Sequence, residues 1–291
     1  MKILNIISFS NKNTPIDNKK QNVNFGSNIY TGEKFLIDHA DILVTHSCNK
    51  GCPTCIDKWV NKYRQIVSFD IVKKYFNMLE QKTTSVRSIV NKNGQTLINI
   101  LGGEPTVVGE EFLNKIAENA HLRNFLVWIS TNGIKRKTVE SILPNFDLVR
   151  LTVDTPEEAL KWADSKFIDK LDIKFPCTEK TTLGDFERFA ELTKDFPNRM
   201  MIVYNDKFRK EVTLQPDLAE LLNSSKVNYK AAKHGFQKYG SINGVTIKRT
   251  IQEDNCFADT KMIPRLYPNG NYNCTWENEL NNPYLGELQN Y

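Results

Sequence analysis

The segment Ile42-Leu43-Val44-Thr45-His46-Ser47-Cys48-Asn49-Lys50-Gly51-Cys52-Pro53-Thr54-Cys55 decides the fold, because an apolar, β-branched run passes directly into three closely spaced cysteines. Ile42–Ser47 reads as a buried strand. Similar short apolar runs recur at Thr96–Leu101, Phe125–Ser130, Leu148–Val153, Leu171–Phe175 and Met200–Tyr204, the pattern of strands covered on both faces. Amphipathic segments fill the gaps. Ser68 is placed to cap a helix over Phe69–Gln81, where Ile71, Val72, Tyr75, Phe76 and Leu79 share one face. Glu110–Ala120, Lys135–Ile142, Pro156–Ala163, Leu183–Thr193 and Pro216–Leu222 follow in the same way. Each strand-plus-helix unit takes about 28 residues, close to a βαβ element. Such alternation predicts a parallel sheet with right-handed crossovers. Six units fall short of the eight of a closed barrel. The expected class is therefore α/β, a partial, open (β/α)6 TIM-like barrel with ligands at the carboxyl ends of its strands.

The chain has 291 residues, 40% hydrophobic and 25% charged, which excludes a disordered, collagen-like or coiled-coil protein. No run approaches the roughly 18 apolar residues of a membrane span. The opening MKILNIISFS has no small-residue cleavage site behind it and reads as a buried strand, not a signal peptide. A cytoplasmic location follows as the expectation, where six cysteines point to metal or catalysis more than to disulfides. A net charge of +5 permits an anionic ligand or nucleic acid without arguing for either. Residues 11–28, rich in Asn, Lys and Ser, read as an exposed excursion. Beyond residue 225 the pattern changes: Ile247–Thr250 is a strand candidate, and Met262–Tyr267 and Tyr272–Trp276 flank Pro268-Asn269-Gly270-Asn271, a hairpin signal. The expected organisation is a pre-barrel segment 1–40, a barrel 41–210 and a small C-terminal β-hairpin appendage 211–291.

Cys48, Cys52 and Cys55 sit on the loop where a ligand site belongs. A zinc site needs four ligands, commonly two separated pairs, and no His or Cys follows closely. A disulfide conflicts with the expected compartment. Cys52 and Cys55 alone form a thioredoxin-like spacing, which leaves Cys48 without a task. An iron–sulfur cluster held by three thiolates, with one iron open, suits the count best. At the end of the second strand, Gly102-Gly103-Glu104-Pro105 joins two glycines, which permit close backbone approach, to a carboxylate able to take an ammonium; an ordinary glycine-rich turn is the competing reading. Ser130-Thr131-Asn132-Gly133 after the third strand reads either as a ligand contact or as a helix-capping turn.

CxxxCxxC, GGEP and STNG, in this order after successive strands, resemble the radical S-adenosylmethionine (radical SAM) enzymes over residues 41 to about 205. The resemblance implies that Cys48, Cys52 and Cys55 ligate a 4Fe–4S cluster whose open iron is chelated by SAM. It implies that Gly102, Gly103 and Glu104 contact the methionyl ammonium, that Ser130 and Asn132 lie near the cofactor, and that Thr152 and Asp154 lie near the ribose. It further implies reductive cleavage of SAM to a 5′-deoxyadenosyl radical, hydrogen abstraction from a substrate, and an electron donor such as a flavodoxin or ferredoxin. The position before the third cysteine, usually aromatic in the family, is Thr54 here, so adenine is held by other groups. Family members of this size modify ribosomal peptides, nucleotides and small metabolites; a peptide is the first expectation. A thiol redox protein, a zinc protein and a non-catalytic binding protein are the alternatives from other classes.

Cys177 follows the fifth strand and is read as either a small buried residue or a thiol at the barrel mouth that returns a hydrogen atom to a substrate radical. Cys256 and Cys274 bracket the C-terminal hairpin, which resembles the twitch form of the SPASM appendage and so implies an auxiliary iron–sulfur cluster; two structural cysteines packed beneath the hairpin are the competing reading. The match is incomplete, because Gly270 and Cys274 are one residue closer than usual and no further cysteine follows. Lys226, Lys230, Lys233, His234 and Lys238, interleaved with Tyr229, Phe236 and Tyr239, read as a solvated loop, with binding of nucleic acid or an acidic peptide as the alternative. His46 reads as a strand-end residue.

Overall fold

The computed structural model describes residues 39–52, 55, 61, 64–82, 95–205, 210–231, 237–250, 265–270 and 272–273. The parallel strands expected from the apolar runs are β1 (His39–Leu43), β2 (Leu97–Leu101), β3 (Leu126–Thr131), β4 (Leu148–Thr152), β5 (Leu171–Pro176) and β6 (Asn198–Ile202). They lie side by side in chain order, each parallel to the next. The connecting helices are α1 (Phe69–Lys82), α2 (Glu110–His121), α3 (Arg136–Ile142) and α4 (Leu183–Leu192), with α5 (Pro216–Asn223) after β6. Between β4 and β5 the connection is a 3-10 helix, Pro156–Trp162, where the sequence predicted an α-helix.

β1 ends earlier than expected. Past its end, Thr45 and Ser47 turn their carbonyls to the loop after β2, accepting from the Gly103 and Glu104 amides at 2.8 Å each. The backbone there is spent on building the mouth of the barrel and not on the sheet.

Strand alternation sorts the side chains. One face is apolar and packs under the helices: Ile42, Ile98, Ile100, Val127, Ile129, Val149, Leu151, Ile173 and Phe175 are buried with Phe76, Leu113, Ile116, Phe186 and Phe189. Phe175 meets Phe189 of α4 with 5.2 Å between ring centroids. The register puts polar side chains in rows on the opposite, concave face. Asp41, Asn99 and Trp128 form one row; Ser130, Arg150 and Asp172 the next; Thr152, Lys174, Met200 and Thr246 a third. Arg150 donates to Asp172 at 2.7 Å and lies 5.3 Å over the Trp128 ring.

The C-terminal residues extend this sheet at both edges. β11 (Val245–Thr250) adds parallel to β6, followed outward by β10 (Gln237–Ile242) and β9 (Lys230–Ala231). β12 (Arg265–Leu266) adds parallel to β1 and carries β13 (Tyr272–Asn273). The described strands thus form one open sheet in the order β13-β12-β1-β2-β3-β4-β5-β6-β11-β10-β9, beside a separate two-stranded pair, β7 (Tyr204–Asn205) with β8 (Lys210–Glu211). The hairpin expected after Tyr267 shows in the antiparallel pairing of β12 with β13, Leu266 opposite Tyr272. A second one, β10–β11, was legible in Asn243-Gly244 and went unread: both residues take the positive φ (51° and 70°) that such a turn requires. The stretch expected as a solvated basic loop supplies β9 and β10 of that edge.

Arg265 fixes β12 to β1. Its Nε and Nη2 donate to Asp41 Oδ2 at 3.0 and 2.6 Å, while Asn99 Nδ2 donates to Oδ1 at 3.0 Å. The Asp41 side chain is 4% exposed and that of Arg265 13%. Breaking one partner of a buried pair costs about 3–5 kcal/mol. Arg265→Met is therefore expected to lower unfolding free energy by that amount in denaturant titration, with Asp41→Asn/Arg265→Met recovering part of it. An Arg265→Met protein as stable as wild type would show that the pair does not hold the edge. Among the described residues no helix is long and apolar enough to cross a membrane.

Candidate functional site

The loop after β1 carries the three cysteines. Asn61 clasps its base: its amide donates to His46 O at 2.9 Å, its Oδ1 accepts from the Cys48 amide at 2.8 Å, and it holds φ at 58°. The Cys55 amide donates to Cys52 O at 3.2 Å, and the Lys50 amide to Cys48 Sγ at 3.3 Å. Cys48 and Cys55 are half-buried and Cys52 is exposed; none is in a disulfide. Burial pushes the Cys48 thiol up, Glu104 and Cys52 add to this, and the Lys50 amide opposes it. Cys52, although exposed as a residue, has a partly desolvated sulfur that is likewise pushed up, with Lys50 opposing. Without a positive centre these sulfurs favour the thiol; a metal centre would reverse that. Among the described residues no three His, Cys, Asp or Glu side chains are gathered tightly enough to hold a single metal ion.

The loop after β2 is pressed against the cysteine loop. A Cβ on Gly103 would lie 2.6 Å from both the His46 and Ser47 carbonyl oxygens, and one on Gly102 would lie 2.6 Å from Thr45 O. Both glycines admit the neighbouring loop, which a side chain would push away.

Glu104 is 1% exposed. Its Oε1 accepts from the Thr106 amide (3.0 Å), the Thr106 hydroxyl (2.6 Å) and the Thr131 hydroxyl (2.5 Å); Oε2 accepts from the Asn132 amide at 2.7 Å. One buried carboxylate thereby ties GGEP to STNG. None of its described partners is a cation. Asn132 completes the link: its Nδ2 donates to Asn49 Oδ1 at 2.8 Å and stands 4.0 Å from Cys48 Sγ. Gly133 takes φ 68° and lies where a Cβ would come within 3.1 Å of the Trp162 ring and 3.2 Å of Leu151.

Ser130 and Thr152 stand on the concave face at the ends of β3 and β4, in the register given above. Asp154, just past β4, receives the Lys50 ammonium at 2.6 Å. Cys48, Cys52, Cys55, Gly102, Gly103, Glu104, Asn132 and Asp154 are thus joined around one mouth by direct contacts or loop backbone. Sequence reasoning missed Thr106, Thr131, Asn49, Asn61 and Lys50. Thr131 and Lys50 lay inside motifs already in view; nothing local marks Asn61.

Of the two readings of Cys177, the structure agrees with the small buried residue and not with a thiol at the barrel mouth. Its amide extends the ladder, donating to Ile202 O at 2.7 Å, so alternation turns its side chain to the same side as Phe175, toward the helices. It is 4% exposed, within the core. A thiol on that side does not face the barrel mouth. Burial pushes it up to about 12, against the pull of Arg249. Because the folded value exceeds the ordinary 9.0, the thiol's contribution to stability is present below pH 9.0 and is lost as pH rises toward 12. Native-state alkylation followed by mass spectrometry is expected to label Cys52 readily and Cys177 only on unfolding; equal labelling of the two would contradict the burial. Cys256, Cys274 and Thr54 lie outside the described residues, as do Lys233, His234 and Phe236. His46, expected as a strand-end residue, is 2% exposed and lies in the loop three residues past the end of β1.

No family model matches the chain. The chain is 29% identical over 157 residues to a cysteine-type anaerobic sulfatase-maturating enzyme of Clostridium perfringens, an overlap of 51% of this chain and 38% of the relative. It is 35% identical over 91 residues to an S-adenosylmethionine-dependent nucleotide dehydratase of Fibrobacter sp., covering 31% of this chain and 26% of that one. A solved structure of native anSMEcpe with bound AdoMet and Cp18Cys peptide superposes with a TM-score of 0.45 at 20% identity, over 56% of this chain and 50% of that one. The chain spans less than half the length of the curated relatives it matches. The resemblance drawn from the three motifs is borne out: the sequence relatives are radical SAM enzymes, and this chain is related to that superfamily.

Proposed function

We propose that the chain is a radical SAM enzyme that holds a 4Fe–4S cluster on Cys48, Cys52 and Cys55 and binds SAM across Gly102, Gly103, Glu104, Ser130, Asn132, Thr152 and Asp154. The observation that carries this reading is the contact of Asn132 with both Glu104 and the cysteine loop, which draws the three motifs to one mouth. The fit rests on the residues themselves: N–H groups directed at Cys48 Sγ, and a buried carboxylate whose described partners are all neutral. A reduced cluster held there would supply one electron to the sulfonium of SAM, whose C5′–S bond would break to give methionine and a 5′-deoxyadenosyl radical able to take a hydrogen atom from an unactivated C–H.

The chain's own residues orient and shield. Glu104 and the loop carbonyls present acceptors to an ammonium, Thr152 and Asp154 present a hydroxyl and a carboxylate to ribose, and the concave wall keeps the reacting atoms in register while limiting water. The electron comes from a donor such as a flavodoxin or ferredoxin. The substrate reading is a peptide, in line with the sulfatase-maturating relative; a nucleotide is the second reading, in line with the nucleotide dehydratase. Cys256 and Cys274 are proposed ligands of an auxiliary cluster, and the protein is proposed to work in the reducing cytoplasm.

Anaerobic reconstitution with iron and sulfide tests this directly. The expected result is a brown protein that forms 5′-deoxyadenosine from SAM and dithionite, with deuterium transferred into it from a labelled peptide or nucleotide substrate. A colourless protein carrying stoichiometric zinc would overturn the reading.

A further inference from the structure

We propose that Lys50 is a positioning residue that couples the two halves of the site, orienting Asp154 toward the cofactor while placing positive charge beside the cluster. The inference rests on the radical SAM reading above. Lys50 sits between Cys48 and Cys52 in the chain, and its amide donates to Cys48 Sγ at 3.3 Å. Its ammonium reaches out of the cysteine loop to Asp154 Oδ2 at 2.6 Å. The pair therefore joins the loop after β1 to the end of β4, passing the ends of β2 and β3, where GGEP and STNG lie.

The two partners are unequally exposed. The Lys50 side chain is 18% exposed and that of Asp154 53%. A lysine drawn in to this extent gives up hydration and rotamer freedom, which an ordinary surface pair does not ask of it. The Asp154 side chain is half exposed, so Oδ2 holds the ammonium while Oδ1 is left for the proposed ribose contact. Its rotamer is then set by Lys50. The Asp154 amide donates to Glu158 Oε2 at 2.7 Å, which fixes the backbone from behind. Removing Lys50 frees the carboxylate to rotate and leaves Asp154 and Glu158 without the described cation between them.

The second consequence is electrostatic. Reduction adds negative charge to an iron–sulfur centre, and N–H···S bonds and nearby cations favour the reduced form. Lys50 provides both, through its amide and its ammonium. Asp154 opposes the ammonium. The two side chains should therefore move the cluster potential in opposite directions while moving SAM affinity in the same direction. A salt bridge that merely staples two loops would shift neither potential.

The test uses the reconstituted full chain and two readouts that do not depend on turnover: an EPR-monitored redox titration of the cluster without SAM, and SAM binding by calorimetry. Lys50→Met is expected to lower the midpoint potential and weaken SAM binding by about fivefold, the value of one partly buried ion pair. Asp154→Asn is expected to raise the potential and also weaken SAM. Lys50→Arg, which keeps the charge and the reach, is expected to restore both. A Lys50→Met protein with wild-type potential and wild-type SAM affinity overturns this proposal alone. A wild-type chain that takes up no cluster under the same conditions overturns the radical SAM reading, and this proposal with it.

Discussion

Alanine at any one of Cys48, Cys52 or Cys55 is expected to abolish both iron uptake at this site and SAM cleavage. Three thiolates hold three irons of a cubane and leave the fourth for the cofactor; two leave a second iron without a protein ligand, and the cluster is lost. The structure separates this loss from unfolding. What shapes the loop is hydrogen bonding by backbone amides and not by thiols: the Cys48 amide on Asn61 Oδ1, the Cys55 amide on Cys52 O, and the Gly103 and Glu104 amides on Thr45 O and Ser47 O. Cys52 is exposed and the other two half-buried, so truncating a thiol removes little packing. Each variant should keep its unfolding free energy to within about 0.5 kcal/mol of the apo wild type. Iron analysis, 5′-deoxyadenosine formation and thermal unfolding in parallel make the check. Wild-type iron content and turnover in any of the three variants would refute the ligand assignment.

The same backbone contacts explain what the sequence could and could not tell. β2 to β5 were legible because each is a short apolar run sealed between the concave rows and the helices, and the helices because Val72, Tyr75, Phe76 and Leu79, or Leu113, Ile116 and Ala117, recur at helical spacing. β1 was misplaced by a few residues because Thr45 and Ser47 have strand-like composition yet give their carbonyls to a loop more than fifty residues away, while the His46 carbonyl between them accepts from Asn61. β9 and β10 were hidden by charge: Lys230, Lys238 and Tyr239 lie on the far edge strands of the sheet, where polar residues are tolerated. In the site, the cysteines, Glu104 and Asn132 were legible as motifs. Thr106, Thr131 and Asn61 were not, since each acts by supporting another group through a tertiary hydrogen bond. Cys177 was left between two readings for a simpler reason. Its place after a strand end was known, but which face it takes depends on strand parity, and that is fixed only once Phe175 is placed against α4.

Glu104 carries the other large expected effect, and its two tasks need two substitutions to separate. Glu104→Ala removes the acceptor from four donors at once, two of them backbone amides, of Thr106 and Asn132, that cannot turn away. Leaving buried donors unsatisfied costs about 1–3 kcal/mol each, not additively, so this variant should lose roughly 2–5 kcal/mol of stability and loosen the junction of GGEP with STNG. Weak SAM binding in that protein would say little about the charge. Glu104→Gln keeps the volume and one acceptor oxygen while removing the negative charge, so its stability should fall less. A charged hydrogen bond to an ammonium is worth about 1.5–3 kcal/mol, which predicts SAM binding weaker by roughly 10- to 150-fold in a protein that still takes up its cluster. If the carboxylate serves only to tie the two loops, the order inverts: Glu104→Gln would melt earlier yet bind SAM as the wild type does. Calorimetric SAM titration and thermal unfolding of both variants, each compared with wild type at equal iron content, decide between these outcomes. An unchanged SAM dissociation constant in Glu104→Gln would remove Glu104 from the cofactor site and leave it as the knot that holds three loops together.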